Sequence, residues 1–487
     1  MQEKTLISLG LLALATALAL VVTPPSAAVA QARANKAPNA EEILKNFVVV
    51  GDAEVRPLPK IGVVPSLAIN EEDVTLHTVV TRDLDLCGEF EVLPPSKAPE
   101  SDPFSTKVDV KAWKKKGAEA VVKLSGKMLP GGKAALKGVA YFTDTGDKPV
   151  YDKRIVVPAA RVRAESHRIA DALIGALTGT DGGFSSQMTF IYGTGKSRRA
   201  YIMDADGHDP RVVSAPNQVA MSPSFGPDQQ LFYTASINKG RFKVFSPGQA
   251  KALKTKPRGS VYGLAFSQDR SKVAVSIGVG PTIKAFSGPD LFHLTPASEV
   301  EMALHPAWTP SGKLAFSGAG KWGQRIYVDG KAISPAGLNA SAPVFCRHPD
   351  GIRAIYMVGV GKNTDLVASA EKGGGLARLT QHQGRNNYPA CSPDGRLIAF
   401  FSTRKSNKGP GLYVMRIDGM RPKRVSTLVG DSLRWARLPE GVPAGQPSSS
   451  KAISKGKGAP KTMAAPKPKA HPRLKQPPIP KLPKTKK

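Results

Sequence analysis

Short apolar runs punctuated by turn residues fill the stretch from 188 to 440, whereas helical spacing of apolar positions is confined to the residues before it. Runs such as Leu397-Ile398-Ala399-Phe400-Phe401 follow turns built on Pro, Asp and Gly. The clearest are Phe225-Gly226-Pro227-Asp228, Trp308-Thr309-Pro310-Ser311-Gly312 and Cys391-Ser392-Pro393-Asp394-Gly395. Three copies are degraded: Phe266-Ser267-Gln268-Asp269 lacks the proline, while Phe345 and Trp435 stand two residues further from Pro349-Asp350-Gly351 and Pro439-Glu440-Gly441. The motif begins at 225, 266, 308, 345, 391 and 435, a step of 37 to 46 residues. That is the period of a four-stranded propeller blade.

A second series interleaves with the first. Asp204-Ala205-Asp206-Gly207, Asp329-Gly330 and Asp418-Gly419 each follow a short apolar run, and several short strands after such turns end in Ser or Thr (211–214, 378–380, 424–426). Asp-Gly supplies the positive φ angles of tight hairpins, so each repeat reads as an antiparallel meander. The last copy offers one inner strand (433–438) and nothing after it, while 188–214 offers outer strands with no inner strand before them. Pairing the chain ends would complete that blade and leave no open sheet edge. The predicted fold is mainly β, a six-bladed β-propeller over 183–440 preceded by a small α/β domain over 47–182.

Within that first domain, 61–65 reads as a buried strand. Residues 71–86 carry Val74, Leu76, Val79, Val80 and Leu84 at helical spacing, with Cys87-Gly88 as the stop. A shorter helix is expected over 108–113 and strands over 120–126 and 135–142, joined by Pro130-Gly131-Gly132. Residues 164–177 place Ile169, Ala170, Leu173, Ile174 and Leu177 on one helical face ended by Gly179.

Composition adds a location. Residues 1–32 hold Lys4, an apolar stretch over 6–22 and the small run Ala27-Ala28-Val29-Ala30, the pattern of a secretory leader cut after Ala30 or Ala32. The other reading of this segment is an uncleaved membrane anchor. Residues 33–46 are expected to be a linker. The chain carries 69 Lys and Arg against 38 Asp and Glu, a net charge of +31. Residues 441–487 hold twelve basic residues, ten prolines and no acid, so they cannot bury a core and form an extended basic tail. Such a tail suits an electrostatic tether to an envelope polyanion, or a solubilising linker; a nucleic-acid role does not fit a secreted chain. Three cysteines are an odd count, which argues against a disulfide framework, and Cys391 is read as a small buried hydrophobe in the aromatic slot of its motif.

The order "IGVVP", "DLDLCGEFEVL", "VDVKAWKKKGAEAVVKLSG", "YFTDTG", "RAESHRIADALIGALTGTDGGF" and "TFIY" leading into "SPDG" repeats resembles the TolB family, over about 46–441. The resemblance implies a non-enzymatic periplasmic hub, expected as a monomer, that maintains the outer membrane and supports its constriction at division. It implies two partners: a Pal-like peptidoglycan-associated lipoprotein on the propeller rim, and a TolA-like inner-membrane protein on an extended amino-terminal segment. The segment corresponds to Phe47, Val48, Val49, Val50, Gly51 and Asp52, a β-branched run able to add to a partner's sheet; it also reads as an ordinary edge strand of the first domain. The rim corresponds regionally to Ser260, Tyr262, Met302, Leu304, His305, Asn386, Asn387, Tyr388, Asp431 and Ser432, in loops leading into inner strands. A few aromatic anchors among polar groups suit a protein interface.

Catalytic, cofactor and metal sites are not expected. Gly193-Thr194-Gly195-Lys196-Ser197 ends like a phosphate loop, but its first glycine would fall at Phe190; it reads as a hairpin turn. Asp204-Ala205-Asp206-Gly207 lacks the spacing of a calcium loop, and no Gly-x-Ser-x-Gly elbow occurs. Two other classes stay open: the accessory propeller of an exported peptidase, and a binding module whose main ligand is an envelope polyanion.

Overall fold

The computed structural model describes residues 39–49, 57–100, 105, 107–348, 351–406 and 408–437. The leader, residues 33–38, Val50, Gly51, Asp52, the turn residues Pro349, Asp350, Pro439 and Glu440, and the basic tail lie outside them. Among the described residues no helix is long and apolar enough to cross a membrane.

The chain enters through α1 (Ala40–Leu44) and β1 (Val48–Val49), then builds β2 (Lys60–Val63), α2 (Glu71–Leu86), β3 (Glu91–Val92), α3 (Val110–Lys115), β4 (Ala120–Leu129), β5 (Lys133–Phe142), β6 (Tyr151–Pro158) and α4 (Val162–Thr178). The helix α1 stands in the stretch expected to be a linker. Strands β3-β2-β4-β5-β6 form one sheet, parallel over the first three and antiparallel over the rest. Alternation along β4 decides what covers each face: Ala120, Val122 and Leu124 pack with α2 and α4, while Val121 packs with Trp113 of α3. Trp113 lies so close to β2 that a Cβ on Gly62 would sit 2.4 Å from its ring, which is why that strand carries glycine.

The helix α2 begins at Asn70, whose side chain accepts from the Asp73 amide at 2.9 Å, and stops where Gly88 turns left-handed at φ 74°. Leu76, Val79, Val80 and Leu84 are buried as the spacing predicts; Val74 lies on the exposed side. Gly179 ends α4 at φ 87°, its amide returning to the Gly175 carbonyl at 2.7 Å.

Six blades follow. Blade 1 contains Ser186–Tyr192, Arg199–Asp204 and Arg211–Val212, and its inner strand is Asp431–Arg437 from the far end of the chain. The pairing runs antiparallel with Trp435 opposite Met188 and Arg437 opposite Ser186, so the ring closes as the repeat pattern predicts. Blade 2 has three strands rather than four (Gln218–Phe225, Leu231–Ile237, Lys243–Phe245). Blades 3, 4 and 6 are four-stranded, with inner strands Val261–Phe266, Leu304–Trp308 and Asn386–Cys391. Blade 5 begins with Ala340–His348 and ends with Ala377–Arg378.

The Ser or Thr closing many outer strands has a specific task. Ser214, Ser334 and Thr380 hydroxyls accept from the amides of Ala200, Ile326 and Leu366 at 3.0, 2.9 and 2.9 Å, where the short outer strand has run out of carbonyls.

One expectation is overturned. Cys346 and Cys391 are joined by a disulfide, with Cα atoms 5.5 Å apart, and Cys87 is free and buried. An odd count leaves one thiol over without forbidding a bridge. Cys391 occupies the aromatic slot of blade 6 and Cys346 follows that slot in blade 5, where inner strands converge and bring the two Cα atoms within the span of a bridge.

Candidate functional site

Each inner strand enters the channel from one end of the ring, here called the upper face, and runs toward the opposite end, the lower face. Near the upper end, all six inner strands break register once. In five of them the residue at the break is left-handed and not glycine: Ser222 (φ 46°), His305 (50°), Ala342 (49°), Tyr388 (51°) and Ser432 (56°). These bulges re-aim side chains at the rim, and they carry three of the residues expected to meet a partner. His305 and Tyr388, from blades 4 and 6, bring their rings together at 6.3 Å, while blade 5 places only Ala342 at the equivalent bulge. Met302 is 42% exposed; Ser260, Tyr262, Leu304, Asn387, Asp431 and Ser432 are part-exposed.

Asn386 does not belong to that surface. It is fully buried, its carbonyl accepting from Ser402 Oγ at 2.8 Å and its amide donating to the Thr364 carbonyl at 3.3 Å. A buried polar group so engaged fixes the joint between blades 5 and 6. Asp431 is half committed: Arg198 holds it at 2.8 and 3.0 Å across the seam that closes the ring. His305 receives or donates a bond with Ser317 Oγ at 2.8 Å, and burial together with the Arg434 cation pushes its pKa down to about 4. It is therefore neutral at neutral pH.

Val48 and Val49 of the amino-terminal segment do not join the sheet of the first domain. β1 instead adds to the outer edge of blade 5, parallel to it, with Val48 opposite Ala377 and Val49 opposite Arg378. Leu44 and Phe47 are buried among Val358, Val360 and Ile326 of blades 4 and 5. Glu41 forks onto Arg378 at 3.0 and 3.1 Å, and the same guanidinium holds Asp365 at 2.5 Å. That hydrogen-bonded pairing holds the Glu41 carboxyl below its ordinary range. Val48 stays 49% exposed.

The lower face is where the first domain sits. Arg163 of α4 reaches Asp204 at 2.8 Å and Asp206 at 2.6 Å in the Asp-Gly turn of blade 1, and Arg82 of α2 donates to the carbonyls of Asp206 and Val425. Arg396, Arg416 and Lys423 of blade 6 reach Thr178, Gly88 and Asp85. Buried His167 binds Asp83 at 2.6 Å. His167, Asp204 and Asp206 could converge on a cation, and Arg163 reaches both aspartates, so the turn is an ion-paired latch between α4 and blade 1. Burial alone would lower the His167 pKa; the Asp83 carboxylate, joined by Asp206 and Asp204, overrides it and holds the imidazolium up to about 9. A raised folded-state pKa stabilises fully below the unfolded value of about 6.5, and the effect is lost as pH rises through about 9. The urea midpoint of the wild-type chain should therefore fall between pH 6.5 and 9.5, and His167→Gln should flatten that slope. An unchanged slope in the variant would remove His167 from the latch.

The Gly193 loop is an exposed turn between two strands of blade 1, its Thr194 amide donating to Ser197 Oγ at 3.1 Å and Ser197 Oγ to the Thr194 carbonyl at 2.7 Å. Its hydroxyl is spent on its own backbone.

Comparison with known proteins places this geometry. Residues 48–145 match the TolB amino-terminal domain. A Tol-Pal system protein TolB of Thiobacillus denitrificans is 34% identical over 170 residues, covering 34% of this chain and 39% of that protein. The chain thus aligns with well under half the length of that relative. The crystal structure of TolB from Acinetobacter baumannii matches with a TM-score of 0.63 at 20% identity, over 78% of this chain and 97% of that one. At such identity the likeness is one of fold, and it extends across both the first domain and the propeller.

Proposed function

We propose that this chain, whose first domain belongs to the TolB family and whose described residues share the TolB fold, is a non-enzymatic periplasmic hub of a Tol-Pal system. In this reading the upper rim receives a Pal-like lipoprotein. The amino-terminal segment engages a TolA-like inner-membrane protein, and the two contacts together maintain the outer membrane and support its constriction at division. The observation that carries the reading is the segment at 40–49: among the described residues, the strand that would be offered to a partner pairs with blade 5 through Val48 opposite Ala377 and Val49 opposite Arg378. Main-chain pairing of that kind is transferable from one sheet edge to another. A disulfide in the propeller wall fits an oxidising compartment, and the bulged rim with Tyr388, Tyr262 and Met302 supplies the aromatic and thioether anchors of a polar interface.

The test is calorimetric titration of the mature chain with the soluble domains of a Pal-like lipoprotein and a TolA-like protein from the same cell. Tyr388→Ala should weaken the first contact at least tenfold and leave the second unchanged. Leu44→Asp, which dislodges α1, should expose the segment to hydrogen exchange and strengthen the second. Binding of neither partner would overturn the reading. The net charge of +31 supports a second one: capture of envelope material only by a chain retaining 441–487, lost as salt rises, would make the polyanion the main ligand.

A further inference from the structure

Below the rim, the inner strands of all six blades enclose a cavity of about 200 Å³. Its walls hold the motif positions Phe225, Phe266, Trp308, Phe345, Cys391 and Trp435, and its charged lining consists of three arginines, Arg270, Arg347 and Arg434, with no carboxylate among the described residues. Several guanidinium groups of this molecule are matched by carboxylates, Arg163 by Asp204 and Asp206, Arg378 by Glu41 and Asp365, Arg416 by Asp418, while fully buried Arg404 is held by Ser402 Oγ and stacked on Phe400 and Tyr413. The three channel arginines make no carboxylate ion pair among the described residues.

Arg434 stands on the closing strand of blade 1, and among the described residues its side chain donates only from Nη1 to the Leu433 carbonyl, at 3.0 Å. Burial pulls its pKa down to about 10, so it keeps its charge at neutral pH. Arg270 leaves its buried Nε without a partner and reaches only the Ser267 carbonyl, at 3.3 Å. The neighbouring Asp269 is spent on Ser267 Oγ at 2.6 Å and on Ser271 at 2.7 and 3.1 Å. Arg347, exposed at the lower mouth, donates to the Pro310 carbonyl at 3.2 Å. Arg270 and Arg434 are partly exposed and Arg347 exposed, none with a paired carboxylate among the described residues, and guanidinium forks are shaped for carboxylate and phosphate oxygens.

We propose that the channel binds a small multivalent oxyanion, a di- or tricarboxylate or phosphate, with Arg434 as the anchor in the wall and Arg270 and Arg347 closing on it from the lower mouth. The size agrees: a cavity of about 200 Å³ has room for a citrate-sized anion. Neutral His305 above Arg434 adds no competing charge. The site lies below the bulge ring and does not depend on the rim being a partner surface.

The experiment uses the full chain, so that the basic tail contributes equally to every sample. Citrate and inorganic phosphate are titrated at fixed chloride concentration, followed by calorimetry and by thermal melting. The wild type is expected to show one saturable site and a rise in melting temperature. Arg434→Met should weaken citrate at least tenfold and abolish the rise, and Arg347→Gln, at an exposed position that leaves folding intact, should weaken it severalfold. A wild-type chain without a saturable response to either anion overturns the proposal, as does an undiminished response in both variants.

Discussion

A chain ended at Gly430 will not form a closed propeller, whereas one ended at Arg437 will. The strand lost, Asp431–Arg437, pairs along Ser186–Tyr192, where Met188, Phe190 and Ile191 are fully buried. Its Leu433 is fully buried, Trp435 Nε1 donates to Ser186 Oγ at 2.7 Å, and Asp431 holds Arg198. Without it blade 1 presents an unpaired edge to the channel and the apolar wall opens between blades 1 and 6. A propeller tolerates only short, protected edges. Near-UV circular dichroism and urea unfolding of the two truncations decide the matter. The shorter chain should lose its cooperative transition, and an unchanged midpoint and slope in it would show that the seam is dispensable.

The second large effect comes from the bridge between blades 5 and 6. Cys346 and Cys391 are 45 residues apart in sequence, and constraining a loop of that length in the unfolded chain is worth about 4 kcal/mol in the chain-entropy account. The double variant Cys346→Ala, Cys391→Val keeps both positions apolar and removes the crosslink. It should unfold at a lower urea midpoint than the oxidised wild type and match the wild type under reductant. Equal midpoints for the variant and the oxidised protein would mean that the bridge contributes nothing.

That bridge also shows where reading the chain fell short. A separation of 45 residues is one blade period, so two residues so spaced stand on neighbouring inner strands; the repeat contained the pairing, and the cysteine count obscured it. The blades themselves were legible because an aromatic and a Pro-Asp-Gly turn recur with little else between them, and ring closure was legible because 188–214 offers outer strands without an inner one. Strand β6 went unread because Tyr151-Asp152-Lys153-Arg154 is polar on an edge, with no alternation to mark it. The docking of β1 on blade 5 was invisible for another reason: Glu41 and Arg378 are 337 residues apart, and no local pattern encodes such a contact. Asn386 falls in the rim by a regional resemblance that covers the whole loop leading into its inner strand; its burial depends on Ser402 and Thr364 from neighbouring strands. The bulges carry little signature, since of Ser222, His305, Ala342, Tyr388 and Ser432 only His305 is of a type enriched in the left-handed region.

Those bulges have a bearing on how the surface can change. A strand without interruption fixes one parity along its length, so every residue offered to the rim would dictate which residues face the wall beneath it. The extra residue in each inner strand resets the count. Above it and below it the same strand is written in two independent frames, which lets the upper face be recoded, by selection or by an engineer, with the packing of the wall left as it is.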